Sequence, residues 1–589
     1  MVHDGEHLRP DLTYQPGETP IVASEIEPDK PLVAVVFNGC IYNHRELRRE
    51  LEGQGYVFET DHSDTEVLVH GWRAWQRAFA DQLNAMAACG IWGRSTTDLI
   101  LSRDLCGQKP LYECGMFSNT LAFGSVPSGL WALRRLLGLD LISGRTGPEI
   151  KSWIRFGYEL PANYGLIPIE SYRAGESIRY GPMVGRDRTL RSSPSSRRSM
   201  RVDNSHVHEL LQNGIRAHLE ADVPVSVFLS GGIDSALITS LAVTANPEIE
   251  CLTVRMPHPD YDESIQASET AKHLGVNQHI IECDANPADD LVDLIARLGL
   301  PFGDSSLLPA YWVCRAARDA CKVALSGDGA DELFAGYERH KHGQLINTLS
   351  TIPFVGRALT LKRCDESNPK SRSSKFARAA RAIQHGGYLD LLSIFDTSDF
   401  QRLVSPGRVQ QLPWHRSVIR YDFDAYLPND LLRKTDTASM AVPLEVRSPF
   451  LDRQTVETMR AISRRTLMPN GERKGLLKQV ARKYLPDHIV DRPKQGFAIP
   501  IGEWFRTDYG GMRQLLYDHL HSTNPFPGLA EAGVELNMKF VEQMLKEHDA
   551  AEEKSINPWH GRDHSQRLYM LLVLSIWAKW LERVRTGIE

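Results

Sequence analysis

The chain has 589 residues, a length at which two or more domains are expected rather than one compact core. Its formal net charge of -6 provides no general attraction to nucleic acid or to anionic membranes. Nine cysteines are scattered without CxxC pairs, which is typical of reduced thiols in a cytoplasmic protein and not of a disulfide framework.

No segment has the pattern of a secretion signal or of a membrane span. The first residues are polar and acidic and lack the apolar core of a signal peptide. The most hydrophobic stretch, 568–581, is shorter than the roughly 20 apolar residues that a spanning helix requires, and Lys579 interrupts it. We therefore expect a buried helix at that position.

The first 200 residues contain two strand patterns and one irregular basic stretch. Residues 31–36 (PLVAVV) predict a buried strand, followed by a polar turn (FNGC) and a helix rich in Arg, Glu and Leu; DLILSRD at 98–104 predicts another strand. The stretch 186–201 is basic, rich in serine and without periodicity. It fits a nucleic-acid patch or an exposed linker, and we favour the linker because the remaining protein is acidic.

From residue 224 onward, strand and helix patterns alternate. Strands are predicted at 224–229, 251–256, 279–283 and 322–326, with helical runs between them. Repeated βα units predict a parallel sheet covered by helices, with ligands bound at the carboxyl ends of its strands. A polar stretch at 361–375 is expected on the surface, and the remaining chain is expected to be mostly helical.

A glycine-containing loop joins the first of these strands to the next helix. Gly231 and Gly232 allow the backbone N–H groups to approach a ligand closely. The helix N-terminus and the hydroxyl groups of Ser230 and Ser235 add donors that suit phosphate oxygens. Asp234 is placed to hold a magnesium ion, which prefers carboxylate and phosphate oxygens. The alternative is an ordinary capped turn; a Walker loop is excluded because the chain has no GxxxxGK[ST].

A second, acidic loop at 326–332 (SGDGADE) also follows a strand and opens a helix. Its carboxylates would repel each other and Asp234 unless a cation lay between them, and magnesium is the natural candidate. A capped helix start with acidic residues is the alternative, and it explains one carboxylate better than three.

The two loops, in this order and spacing, resemble the synthetase domain of glutamine-dependent asparagine synthetases. Other segments match this family too: 262–264 (DES), 301–306 (PFGDSS), 434–440 (KTDTASM), 444–452 (LEVRSPFLD), 492–497 (RPKQGF) and 563–568 (DHSQRL). Segments near the front resemble its glutaminase domain: 38–43 (NGCIYN), 63–67 (SDTEV) and 103–112 (RDLCGQKPLY).

The resemblance implies a two-domain fold. An incomplete glutaminase-like α+β domain of the Ntn type would occupy 1–180, followed by a linker at 181–205. An α/β synthetase domain with a parallel sheet, of the ATP-pyrophosphatase or adenine nucleotide α-hydrolase-like type, would occupy 206–589.

The resemblance also implies the reaction: ATP adenylates a substrate carboxylate, and ammonia or an amine then displaces AMP to form an amide. It implies ATP and Mg²⁺ as cofactors and small-molecule carboxylate and amine substrates, without nucleic acid or membrane partners; a homodimer is left open. By this resemblance, Asp234 and Asp331 would ligate magnesium, Lys474 would stabilise developing negative charge, and Asp328 would position and deprotonate the incoming nitrogen. The nucleotide-binding residues would be Ser230, Gly231, Gly232, Asp234, Ser235 and Gly327.

The front domain departs from the family pattern. The family nucleophile is a cysteine directly after the initiator methionine, whereas this chain has Val2, and the family's opening strand and RGPD segment have no counterpart. Cys40 stands where the family has a glutamate, and we expect a structural or neutral role for it rather than a nucleophilic one. Glutamine hydrolysis is therefore not expected.

A second departure lies in the synthetase half, where relatives read DEPFAD. Gly299 and Leu300 replace the first two, acidic, residues, which puts aspartate as the substrate in doubt. A specialised amide ligase, as in antibiotic or modified-peptide biosynthesis, is therefore the leading hypothesis. The alternatives are an ordinary glutamine-hydrolysing asparagine synthetase whose gene start was chosen too far downstream and a catalytically inactive regulatory or scaffold homologue.

Some isolated residues predict no chemistry. His340 and His342 are expected to be solvated helix residues because no third ligand stands at zinc spacing. Cys314 and Cys321, seven residues apart, are expected on the core face of one helix.

Overall fold

A computed structural model describes most of the protein. The described residues are 2–3, 8–9, 33–94, 96–117, 120–141, 147–160, 168–182, 185–191, 202–256, 262–360, 372–405, 417–493, 499–550 and 563–588.

The strands, in chain order, are β1 Val2–His3, β2 Leu8–Arg9, β3 Val33–Ile41, β4 Ala85–Gly93, β5 Asp98–Arg103, β6 Tyr112–Phe117, β7 Thr120–Gly124, β8 Ile169–Ser171, β9 Glu176–Gly181, β10 Gly185–Leu190, β11 Val225–Phe228, β12 Glu250–Arg255, β13 Asn277–Glu282, β14 Val323–Leu325, β15 Val404–Ser405, β16 Glu445–Arg447 and β17 Glu535–Leu536.

The α-helices are α1 His44–Gly53, α2 Asp64–Trp75, α3 Phe79–Gln82, α4 Pro127–Leu136, α5 Gly147–Phe156, α6 Asn204–His218, α7 Ile233–Ala245, α8 Ser264–Leu274, α9 Pro287–Leu298, α10 Leu307–Ala317, α11 Ala330–Leu333, α12 Glu338–Leu349, α13 Val355–Thr360, α14 Arg372–His385, α15 Tyr388–Leu392, α16 Thr397–Leu403, α17 Val418–Tyr421, α18 Leu432–Met440, α19 Arg453–Ala461, α20 Arg464–Leu467, α21 Gly475–Ala481, α22 Asp487–Val490, α23 Ile501–Thr507, α24 Met512–Leu520, α25 Met538–Ala550 and α26 Ser565–Thr586. A π-helix, Asp422–Leu431, connects α17 to α18.

The front half contains two antiparallel sheets. The larger has the strand order β10-β9-β5-β4-β3-β1-β2, and the smaller has the order β7-β6-β8. The turn predicted at FNGC is wrong, because β3 continues through Cys40 and pairs with β4 along its whole length. Asn38 is accommodated in the strand since its side-chain amide donates to Ser125 Oγ at 3.1 Å.

The synthetase half contains the predicted parallel sheet, with the order β13-β12-β11-β14-β16. All four predicted strands are present, and β16 is a fifth that the sequence did not predict. The central pair, β11 and β14, carries the two predicted loops at its carboxyl ends. This order brings both loops to one edge of the sheet.

The predicted linker needs a correction at both ends. Strand β10 lies within 181–205 but pairs with β9 over six residues, so it belongs to the front sheet. Helix α6 begins at Asn204, capped by the carboxylate of Asp203, which accepts from the His206 backbone N–H. Most of the basic stretch, at 192–201, lies outside the described residues.

Polar side chains join the two halves at several points. The Asn84 amide donates to Asp452 at 2.6 Å, and Lys109 pairs with Asp436 at 3.0 Å. The carbonyl oxygen of Gly299 accepts from the indoles of both Trp131 (2.9 Å) and Trp577 (3.0 Å). The second indole belongs to α26, which is buried over residues 568–581 except at Lys579, as predicted. Among the described residues, no helix is long and apolar enough to cross a membrane.

Two predictions for isolated residues need correction. His340 is fully buried rather than solvated, because its Nε2 lies 2.8 Å from Asp422 Oδ2, which also accepts from Arg339. Cys314 and Cys321 are both buried, as expected, but only Cys314 lies in α10, since that helix ends at Ala317. The predicted surface stretch at 361–375 is described only from residue 372 onward.

Candidate functional site

The first loop, 230–235, is shaped by its own hydroxyl groups. Ser235 Oγ lies 3.0 Å from Ser230 Oγ and accepts from the Ser230 backbone N–H at 3.1 Å. Ser230 Oγ in turn accepts from the Gly232 N–H at 3.3 Å. No side chain caps α7, so the amide groups of its first turn point into the loop. This arrangement suits an anion such as a phosphate group.

Gly231 is held from two sides by residues to which the sequence assigned no role. Its N–H donates to Glu263 Oε2 at 3.0 Å, and its carbonyl accepts from Arg492 at 3.2 Å. A Cβ at Gly231 would lie 3.0 Å from Gln266 Cβ, so a larger residue would push against α8. Glu263 and Arg492 both lie in segments that match the family, and this match is the sequence signal that could have identified them.

The second loop separates its carboxylates by giving each one a different partner. Asp328 accepts from Ser326 and Thr435, both at 3.0 Å. Glu332 accepts from the Tyr337 hydroxyl at 2.6 Å. Asp331 instead faces the first loop.

Lys474 lies between the two predicted magnesium ligands. Its Nζ is 2.6 and 2.5 Å from the oxygens of Asp234 and 2.7 Å from Asp331 Oδ1. Burial lowers the pKa of Lys474, but attraction to both carboxylates outweighs it, and the net pKa is raised. Taken by itself, the sequence would place Lys474 on a helix surface; the structure instead buries it just before α21, with a left-handed backbone (φ 55°). The cation between these carboxylates is therefore an ammonium group of the chain.

Two glycines allow the loops to approach each other. A Cβ at Gly327 would lie 3.0 Å from Asp234 Cβ, so this residue adjoins the first loop as predicted. A Cβ at Gly336 would lie 1.8 Å from Asp331 Oδ1 and 2.3 Å from Lys474 Cε. Only glycine therefore fits at position 336, beside the ion pair of Lys474 with Asp331. The sequence did not point to it.

A cavity of about 860 Å³ opens above these loops. All the predicted site residues except Gly231 line it. Beside the second loop the cavity is also lined by Asp304, Ser306, Tyr337, Tyr426 and Lys434, and we call this part the substrate end. The cavity volume is in the range of pockets that bind nucleotide-sized ligands.

A buried ion pair lies at the substrate end. Lys434 Nζ donates to Asp304 at 3.1 Å and to Ser306 Oγ at 2.9 Å. Burial raises the pKa of Asp304, but Lys434 and the Ser306 hydrogen bonds outweigh it, so the net pKa is lowered. Burial, and then repulsion from Asp304, raises the pKa of the nearby Asp430 to about 7, although Lys434 opposes the shift.

Glu332 is the most deeply buried carboxyl group that lines the cavity. Burial, and then repulsion from Asp331, raises its pKa to about 7. Among the described residues, its Oε2 accepts no hydrogen bond. Glu332 therefore exchanges protons near neutral pH.

The donor set fits a magnesium ion that also binds phosphate. In the described part of the chain, no group of three or more His, Cys, Asp or Glu is arranged to hold a metal by itself. Asp234 and Asp331 supply two carboxylates at the phosphate-binding edge, and Mg²⁺ is commonly held by one or two carboxylates together with substrate phosphates.

Gly299 and Leu300, the two substitutions that put aspartate as the substrate in doubt, do not line the cavity. Gly299 ends α9 with φ 73° and packs so closely that a Cβ would lie 2.5 Å from the Ser128 N. Leu300 is buried in the core. Packing against Ser128 of the front half accounts for the glycine at position 299.

Cys40 lacks the environment of a reactive thiol. It lies within β3, and burial raises its pKa to about 12 although Arg447 opposes the shift. This agrees with the sequence, which predicted no nucleophilic role.

Comparison with known proteins identifies the class and then the family. The asparagine synthase model matches residues 206–582, and a glutamine amidotransferase domain matches residues 14–139. Together with the parallel sheet and its two loops, these matches define an ATP-dependent carbon–nitrogen ligase with an Ntn-type amidotransferase domain in front. The chain belongs to the asparagine synthase family.

Several relatives match most of the chain. The chain is 26% identical to asparagine synthetase [glutamine-hydrolyzing] 1 of Bacillus subtilis (92% of this chain, 85% of that protein). It is 27% identical to asparagine synthetase [glutamine-hydrolyzing] 3 of the same organism (87% and 84%). Amidase chyE of Penicillium rubens is 24% identical (80% and 78%).

Proposed function

We propose that the chain adenylates a small-molecule carboxylate with ATP and transfers the acyl group to ammonia or an amine. The observation that carries this proposal is Lys474, whose ammonium group lies between Asp234 and Asp331 at the phosphate-binding edge. A buried lysine held by two carboxylates beside the uncapped first turn of α7 is positioned to neutralise phosphate charge.

In the first step, a carboxylate oxygen of the substrate forms a bond to the α-phosphorus of ATP, and the bond from that phosphorus to pyrophosphate breaks. The loop 230–235 binds the departing pyrophosphate through its backbone amides. Lys474 balances the negative charge that develops on the phosphoryl oxygens. When bound at Asp234 and Asp331, Mg²⁺ would supply further charge neutralisation on the phosphates.

In the second step, the nitrogen nucleophile attacks the acyl carbon and AMP leaves. Asp328, fixed by Ser326 and Thr435, accepts a proton from the incoming nitrogen. The cavity has room beyond the nucleotide loops for both the acyl group and an amine.

We further propose that the nitrogen comes from free ammonia or an organic amine and not from glutamine hydrolysed by this chain. The high thiol pKa of Cys40 supports this view. The proposal places this reaction in specialised, antibiotic-like biosynthesis, and one of the chain's relatives is named an amidase rather than an asparagine synthetase.

The test is ATP–pyrophosphate exchange screened over candidate carboxylic acids, followed by amide formation with glutamine, ammonium or organic amines. We expect acid-dependent exchange in the wild-type protein and none in Asp234→Ala. Glutamine-dependent product would contradict the assigned nitrogen source and support a glutamine-hydrolysing asparagine synthetase. Absence of exchange with every acid would support the scaffold alternative.

A further inference from the structure

A segment of the front half is inserted into the synthetase half beside the substrate end. It follows α5 and comprises residues 157–160. Tyr158 is buried, and its ring packs edge-on against Tyr426 with centroids 5.8 Å apart. Since Tyr426 lines the cavity, this contact links the front half to the cavity wall through a single aromatic pair.

The residue before Tyr158 supports a second part of that wall. The Gly303 N–H donates to the carbonyl of Gly157 at 2.9 Å, and a Cβ at Gly303 would lie 2.6 Å from Gly157 Cα. Gly157 has φ 85°, which favours glycine. The residue that follows Gly303 is Asp304, the partner of Lys434 in the cavity.

The residue after Tyr158 supports a third part. Glu159 forms an ion pair with Arg433 at 3.0 Å, and the two side chains are only 7% and 4% exposed. Arg433 immediately precedes Lys434 in α18. Because a buried charge is costly to leave unpaired, Glu159 fixes the start of this helix and with it the base of Lys434.

We propose that residues 157–159 are positioning residues for the substrate end, so that the front half acts in the ligase reaction by completing the synthetase site. This inference rests on the proposed function. Three consecutive residues each contact a different element of the wall: the loop before α10, the π-helix and α18. Those elements come from distant parts of the chain, and one short segment keeps them in register.

The contact between Asn84 and Asp452 provides a contrast. It also joins the two halves, yet neither residue lines the cavity. Loosening it would weaken the interface without moving the substrate end. It therefore serves as the matched control for the residues at 157–159.

The experiment uses full-length Tyr158→Ala and Gly157→Ala, with Tyr158→Phe as the conservative rescue and Asn84→Ala as the control. Among the described residues, the Tyr158 hydroxyl has no hydrogen-bond partner, so phenylalanine keeps the packing. A Cβ at position 157 would lie 3.1 Å from Ile394 Cδ1 and would strain the backbone, which shifts the contact with Gly303.

The readouts are KM for ATP and for the acid in pyrophosphate exchange, KM for the amine in amide formation, and the midpoint of thermal unfolding. We expect Tyr158→Ala and Gly157→Ala to lower kcat/KM for acid and amine by about tenfold or more, because displacement of bound groups is costly to rate. KM for ATP should stay within about twofold, since these residues do not contact the nucleotide loops. Tyr158→Phe should restore the wild-type values, and Asn84→Ala should keep them.

Equal losses for ATP and for acid, or an equal loss in Asn84→Ala, would show general destabilisation and overturn the assignment. Unchanged kinetics in both alanine variants would overturn it as well, while the proposed function would stand. If the wild-type protein showed no exchange, the proposed function would fail first and the assignment with it.

Discussion

The ammonium group of Lys474 lies 2.5 Å from Asp234 Oδ2 and 2.7 Å from Asp331 Oδ1, so one lysine holds together the loops after two neighbouring strands. The two carboxylates would repel each other without it. This makes the lysine a structural bridge, in addition to its proposed role beside the phosphates of ATP.

Replacing Lys474 with methionine should therefore destabilise the protein. Breaking a buried pair of this kind costs about 3–5 kcal/mol, because it leaves uncompensated charge. We expect urea unfolding to show this loss in the absence of Mg²⁺ and a partial recovery when MgCl₂ is added. Lys478→Met is the control; its partners Glu472 and Asp491 are exposed, so we expect about 1 kcal/mol or less. Equal losses in the two variants would argue against the bridge.

Gly336→Ala should disable the site through a single methyl group. The added Cβ would overlap Asp331 Oδ1 and Lys474 Cε. Because displacement of about 1 Å can cost on the order of 100-fold in rate, we expect a loss of that size in pyrophosphate exchange. Gly115→Ala, where nothing lies within 4 Å of the added Cβ, should retain exchange. A fully active Gly336→Ala would show that Lys474 need not hold this position.

Glu332 should make stability depend on pH between about 4.5 and 7. Burial raises its pKa to about 7 from the ordinary value of 4.5, so the folded protein binds more protons than the unfolded chain in this range. The ionised Glu332 therefore lowers the free energy of unfolding at high pH, and stability falls as pH rises through this window. Glu332→Gln should match the wild-type protein near pH 4.5 and exceed it at pH 8, as measured by urea unfolding at each pH. A difference in the free energy of unfolding that stays the same at every pH would contradict the raised pKa of Glu332.

Cys40 should resist alkylation. Its pKa is raised from 9.0 to about 12, which lowers the thiolate fraction at pH 8 on the order of 1000-fold. We expect iodoacetamide to label it much more slowly than a free thiol in urea-unfolded protein, as followed by mass spectrometry of the Cys40 peptide. Rapid labelling in the folded protein would contradict this expectation and make Cys40 a candidate nucleophile.

The sequence was sufficient for the parallel sheet and for the position of its loops. Strand patterns and glycines are local signals, and adjacent parallel strands bring their carboxyl ends to one edge. It did not predict the short strand β16, whose three residues give too little periodicity. The predicted strand ended too early at residue 36. Pairing with β4 continues β3 through the polar residues of FNGC, and a local pattern cannot reveal this pairing.

Interactions between distant residues could not be predicted in this way. The partners of Lys474 lie 240 and 143 residues before it, so nothing in its neighbourhood reveals its burial. The steric contact that Gly299 avoids with Ser128 of the front half is also not visible in the local sequence. The contact of His340 with Asp422 likewise cannot be predicted from local sequence patterns, because the two residues are far apart in the chain.

The strand order has a consequence for the time course of folding. Strand β16 pairs with β14, although about 120 residues separate them, whereas β11 and β12 are close in sequence. Closing a longer loop costs more chain entropy and slows pairing. Strand β14 is likewise about 95 residues from β11, and Lys474 comes later still. The loop 230–235 should thus form before the loop 326–332 and Lys474 reach it. A refolding chain would then complete the Lys474 bridge, and with it the proposed binding of ATP, only after β11, β12 and β13 have paired.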